Sequence, residues 1–142
     1  MNLIDANLLL YAYNSASEHH VAARRWIEQL FSSPQPVGLA SISVLAFLRL
    51  STSSRVFARP LSEREAIAIV GEWLSLPQVR IFDPGPRFWA VFTGLILDGQ
   101  VRGALMSDAF LAAIAIENGL VLCTNDRDFS RFDELRALNP LT

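Results

Sequence analysis

Four short, largely apolar runs with no polar alternation constrain this chain most: Asn2–Asp5, Val37–Ala40, Val79–Phe82 and Leu120–Cys123. A strand with one wet face alternates polar and apolar residues, whereas a strand covered on both faces does not. Between these runs the apolar residues recur at helix spacing. Ala23, Trp26, Ile27, Leu30 and Phe31 do so within Glu18–Phe31. Ala66, Ile69, Val70, Trp73 and Leu74 follow a Ser62/Glu65 capping-box pattern, and Trp89, Phe92, Leu95 and Ile96 make a third stripe. Further helices are expected over Leu8–Tyr13, Ser43–Ser51 and Ser107–Glu117, with a short fifth strand at Ala137–Asn139. Strands alternating with helices predict an α/β fold whose central parallel sheet of four to five strands is covered on both faces.

The boundary signals are specific enough to be wrong. Ser32, Ser33, Pro34 and Pro36 end one helix. Pro86 is expected at the first position of the helix after Val79–Phe82, and Gly99 at its end. Ser107 is expected to cap the next helix, which Asn118-Gly119 stops. No linker or repeat divides the chain, so a single domain over 1–142 is expected.

Composition narrows the function classes. The chain is 51% hydrophobic and 18% charged, which supports a buried core and leaves apolar surface for a dimer or protein partner. Its net charge of −2 argues against broad nonspecific nucleic-acid binding, which calls for a basic domain. All 12 basic residues are arginine. A single cysteine, Cys123, permits neither an internal disulfide nor a cysteine zinc site and reads as a small buried residue. His19 and His20 are adjacent at a solvated helix start and read as surface groups. No secretory leader or membrane span is visible, so the cytoplasm is the expected location.

In parallel sheets of this kind, sites form outside the carboxyl ends of the strands. Asp5 closes the first run, Asp126 follows the fourth, and Asp108 opens a helix rich in alanine and isoleucine. Each alone has a structural explanation: a helix cap for Asp5, a dipole contact for Asp108, a turn for Asp126. Together, three carboxylates at one edge repel unless a cation lies between them. Magnesium fits, because it takes hard oxygen ligands, accepts few carboxylates and keeps several waters. At a phosphodiester it polarises the phosphate and acidifies an attacking water.

The residues that carry this pattern resemble the PIN domain family. Leu3-Ile4-Asp5-Ala6-Asn7 is similar to the family's opening. Ser107 through Ala113 resembles its third acidic motif, and Leu122 through Phe129 its last. The length and the close in Asn139-Pro140-Leu141 are similar to VapC-type toxins. The resemblance spans nearly the whole chain and implies a Rossmann-like three-layer α/β/α sandwich. It further implies magnesium-dependent endoribonuclease activity, with Mn²⁺ a possible substitute, a homodimer, and neutralisation by a VapB-like antitoxin. By the same resemblance Asp5 and Asp108 are direct magnesium ligands, with Asp126 completing the cluster through water. Asn7, Thr124 and Asp128 then orient carboxylates or water, although a turn or salt-bridge role suits Asp128 equally well. Arg49 and Arg127 are the candidate phosphate contacts, since a guanidinium grips phosphate with two prongs; salt bridges to the acids are the alternative.

One departure stands out. Many PIN domains carry a glutamate in the helix after the second strand, and here Ala46 holds that place. Three acids rather than four predict one tightly held magnesium, with a second held weakly or absent until substrate phosphate arrives. The missing acid also motivates a rival reading, a catalytically degenerate PIN-like module that binds RNA or protein. A phosphotransfer enzyme with Asp5 as nucleophile is disfavoured, because such folds need a lysine and the chain has none. No GxxxxGK[ST] loop is present either. If the cluster is real, a basic side chain of the antitoxin is expected to enter it and compete with metal.

Overall fold

A computed structural model describes residues 1–142. Five parallel strands form one sheet in the order β3-β2-β1-β4-β5. They are β1 (Asn2–Ile4), β2 (Val37–Ala40), β3 (Val79–Phe82), β4 (Val121–Cys123) and β5 (Ala137–Leu138). Six helices cover it: α1 (Ala6–Tyr13), α2 (His20–Ser32), α3 (Ser41–Ser51), α4 (Glu63–Ser75), α5 (Phe88–Gly99) and α6 (Leu105–Glu117). A 3-10 helix, Arg127–Arg131, follows β4.

The unbroken apolar runs are explained by two cores, one on each face of the sheet. Along β1, Leu3 packs with α5 and α6, while its neighbour Ile4 packs with α1 to α4. Leu122 and Cys123 of β4 divide in the same way. Both faces of the central strands are therefore dry, and no polar alternation survives. The α1–α4 core is aromatic, with Phe47 and Trp73 edge-on at 4.7 Å between ring centroids. Cys123 lies fully buried in this core, and burial pushes its thiol up to about 11, so it is inert packing.

Two expected helix starts move, each for a physical reason. Pro86 lies in the turn before α5, which begins at Phe88. The first amides of this segment are held from a distance: Glu117, at the end of α6, accepts from the backbone N–H groups of Gly85 and Arg87, both at 2.9 Å. Arg87 returns a guanidinium hydrogen bond to the Glu117 carbonyl at 2.8 Å. Gly99 ends α5 as expected, and the left-handed position after it is taken by Gln100 at φ 51°. Ser107 sits inside the first turn of α6, whose start at Leu105 follows Gly103 at φ 60°. By contrast, the capping box at Ser62 and Glu65 forms in full. His19 and His20 are half-buried at the start of α2, and His20 Nδ1 lies 2.9 Å from the Tyr11 carbonyl.

Topology fixes where a site can form. The chain leaves β1 toward β2 and β3, then returns to the other side of β1 for β4 and β5. The strand order thus reverses between β1 and β4, and crevices open at the carboxyl ends of the strands at such a switch point. Asp5 ends β1 there, and the Thr124–Asp128 segment ends β4 beside it.

Candidate acidic active site

Backbone pairing sets the site before any side chain does. The β1–β4 register aligns Ile4 with Cys123, and the Asp5 N–H donates to the Cys123 carbonyl at 2.9 Å. Asp5 and Thr124 therefore leave the sheet side by side. Thr124 Oγ1 donates to Asp5 Oδ2 at 2.7 Å and accepts from the Asp126 N–H at 3.0 Å. One hydroxyl thus locks two acid-bearing segments together. Asp126 Oδ1 then accepts from the Asp128 N–H at 2.8 Å and starts the 3-10 helix. This turn brings Asp128 back toward the cluster. Carboxylate oxygens of Asp108, Asp126 and Asp128 all lie within 4.8 Å of one another.

The electrostatics are those of crowded, uncompensated charge. Burial drives the Asp5 carboxyl above its usual range, with the Thr124 hydroxyl and the Asn7 amide opposing and Asp126 adding repulsion. Asp108 is pushed up to about 6, first by burial, then by repulsion from Asp126, Asp5 and Asp128. Arg131 is the one cation that opposes this rise. No ion pair reaches the cluster: Arg24 pairs with Glu28 and His19 lies 3.4 Å from Glu18, neither contact including a clustered aspartate. A hard-oxygen donor set with no protein cation inside it fits a magnesium or manganese ion, and offers zinc neither nitrogen nor sulfur.

A cavity of about 130 Å³ opens beside the acids. Asp5, Asn7 and Asp108 line it together with Ser43, Ala46 and Ser107. Ala46 thus faces the place expected for a glutamate, and the fourth carboxylate is that of Asp128, which lies outside this cavity. Asn7 lines the cavity without a side-chain hydrogen bond to any acid. The two nominated arginines fare differently. Arg49 is exposed and outside this cavity, without an ion pair. Arg127 is exposed at the start of the 3-10 helix and lines a second, neighbouring cavity. Arg131, four residues on, is the arginine whose charge reaches Asp108.

Three further residues were not singled out from the sequence. Ser43 is buried at the cavity wall, and its helical spacing with Ala46 and Leu50 was the available signal. Asn125 accepts from Asn139 Nδ2 at 2.8 Å, which ties the β4 loop to the segment after β5. Nothing local in the sequence announces Arg131, because its approach depends on the 3-10 turn.

Comparisons with known proteins bear on the family and the fold. The model of the PIN domain family matches residues 3–135. Among characterised relatives, Ribonuclease VapC37 of Mycobacterium tuberculosis is 38% identical over 140 residues, which cover 99% of this chain and 97% of the relative. Ribonuclease VapC33 of the same species is 38% identical over 141 residues, covering 99% of both chains. Solved structures share the fold at lower identity. The VapC20 toxin of Mycobacterium tuberculosis, described as cleaving the sarcin-ricin loop, superposes with a TM-score of 0.69 at 20% identity, covering 92% of this chain and 93% of its own. VapBC2 of Rickettsia felis, bound to a promoter DNA fragment, gives 0.68 at 21% identity and covers 97% of both. The fold is thus the PIN-type α/β/α sandwich, and the chain belongs to the PIN domain family, within its VapC ribonuclease group.

Proposed function

We propose that this chain is a magnesium-dependent endoribonuclease toxin of a type II toxin–antitoxin pair, acting in the cytoplasm as a single PIN domain over 1–142. One observation carries the reading: Asp108, Asp126 and Asp128 cluster within 4.8 Å at the β1–β4 switch point, with Asp5 adding repulsion from the end of β1 and no ion pair among them. Asp5 and Asp108 hold the metal directly, and Asp126 and Asp128 complete the acidic ring. When bound, the metal neutralises phosphate charge and acidifies the attacking water, for which Mn²⁺ can substitute. The chain's own groups supply position. Thr124 fixes the Asp5 carboxylate, Asn7 and Ser43 line the approach, and Arg127 and Arg131 present guanidinium groups to the RNA backbone. Arg49 is left as an outlying phosphate contact.

The partner follows from the same charge. A VapB-like antitoxin places an arginine or lysine among the acids and competes with metal. A homodimer covers the apolar surface of α5, where Trp89 is 70% and Leu97 77% exposed. No helix is long and apolar enough to cross a membrane.

Incubation of the purified protein with total cellular RNA, with and without Mg²⁺, followed by mapping of new 5′ ends, tests the reading. Discrete metal-dependent ends support it; RNA left intact in Mg²⁺ and in Mn²⁺ sinks it. The apolar replacement at Ala46 favours the second reading, a degenerate binding module. Calorimetry separates the two, since such a module takes up no Mg²⁺ in a manner dependent on Asp108.

A further inference from the structure

Beside the acidic cluster, on the β5 side, lies a second and larger cavity of about 420 Å³. It shares Thr124, Asn125 and Asp126 with the acid-bearing segment, so it begins where the proposed cleavage site ends. Its floor is apolar, formed with the buried Phe129 and Phe132. Polar groups line it too: the amides of Asn125 and Asn139, the hydroxyls of Thr124 and Ser130, and the carboxylates of Asp126 and Asp133. The two amides are joined at 2.8 Å, and Asn139 Oδ1 is fixed by the Leu141 N–H at 3.0 Å. The remaining donor of Asn125 finds only His19 Nε2, at 3.5 Å, the outer limit of a hydrogen bond. The pairing sets the orientation of both amides and leaves each an N–H without a strong partner.

An apolar floor with fixed amides at the rim suits a planar heterocycle whose edge carries donors and acceptors. Small-ligand sites have this make-up, with volumes of roughly 300–1,000 Å³. Sequence-specific RNA recognition likewise reads unstacked, single-stranded bases by their edges. We propose that this cavity is a base-reading subsite, which takes one unstacked nucleobase of single-stranded RNA next to the cleaved phosphate. The subsite rests on the ribonuclease reading above and adds to it the origin of sequence choice. Arg127, at the cavity mouth, then holds the phosphate between the bound base and the acids.

Cleavage of a randomised single-stranded RNA pool, sequenced at the cut ends, tests this. Wild type is expected to prefer one base at a position adjoining the cut. Ser130→Trp, which fills the cavity, and Asn139→Leu, which removes the amide pair, are expected to flatten that preference about tenfold, the worth of one or two hydrogen bonds. An unchanged preference in folded variants overturns the subsite, as does a wild type with no preference beside the cut. Failure of wild type to cut the pool at all instead removes the ribonuclease reading itself. Photo-cross-linking needs no variant of the cavity. Asp108→Asn protein irradiated with RNA carrying 4-thiouridine or 6-thioguanosine is expected to link within residues 125–139, and links found only outside that segment overturn the proposal.

Discussion

Two groups of carboxylates in this molecule sit near helix ends and behave in opposite ways. Glu117, at the end of α6, accepts two backbone N–H groups and lies beside a guanidinium that bonds its own carbonyl. Its charge is used to hold the turn between β3 and α5. Asp108, in the first turn of the same helix, faces three other aspartates and no ion-pair partner. A buried or half-buried acid whose lone pairs are met by the fold belongs to the fold. An acid crowded among its own kind stores repulsion that only something from outside relieves. One helix thus carries a structural acid at one end and an unsatisfied one at the other.

The sharpest way to break this contrast is to neutralise the crowded acid. Asp108→Asn is expected to lower RNA cleavage by about 10³-fold, the loss of roughly 4 kcal/mol of transition-state stabilisation. In EDTA the same variant is expected to melt no lower than wild type, because it removes repulsion. A clear fall in its melting temperature would mean that Asp108 is structural after all. Thr124→Val unlinks Asp5 from Asp126 while preserving shape, and is expected to cost about 10- to 100-fold in metal affinity or rate. Thr124→Ser keeps the hydroxyl and is expected to retain both; equal losses in the two variants would point to packing instead.

Acid pH probes the burial and repulsion that act on Asp108. Asp108 has its carboxyl raised from 3.8 to about 6 in the folded, metal-free protein. A raised folded value means that the stability contribution is present below pH 3.8 and is lost as pH rises through about 6. Protons and metal compete for the group, so Mg²⁺ affinity is expected to fall below about pH 6, by about tenfold per pH unit for each proton displaced. Calorimetry across pH 5 to 8 reads this directly, and a flat profile removes Asp108 from the metal site.

The smallest expected effect lies at the other end of α6. Glu117→Gln weakens two charge-assisted bonds at a half-exposed site and is expected to cost about 1 kcal/mol of stability, seen in urea melts, with metal binding intact. Gly85→Ala acts through the same contact, since a Cβ there meets Glu117 Oε2 at 2.6 Å. A loss of metal affinity in either variant would erase the distinction between the two ends.

What the sequence reveals divides along the same line. β2 and β3 are read to the residue, and the two-sided burial of β1 and β4 is visible as unbroken apolar runs. Asp5, Asp108 and Asp126 are legible because each follows or opens a regular element at the sheet's carboxyl edge. Asp128 and Arg131 reach the site only through the 3-10 helix that Asp126 caps, a geometry set by a side chain rather than by periodicity. Pro86 and Ser107 mislead for a related reason. The start of α5 is fixed by Glu117, some thirty residues away, and α6 starts two residues ahead of its serine. Local rules find elements and edge residues; contacts made across the fold decide where helices begin and which acid joins the cluster.

The central claim is that the β1–β4 acids are held for a divalent cation. Titration of Mn²⁺ into metal-free wild type, Asp108→Asn and Glu117→Gln at pH 7.5 tests it most directly. The expected result is saturable binding in wild type and Glu117→Gln, with the heat lost in Asp108→Asn. Equal binding by all three proteins would contradict it.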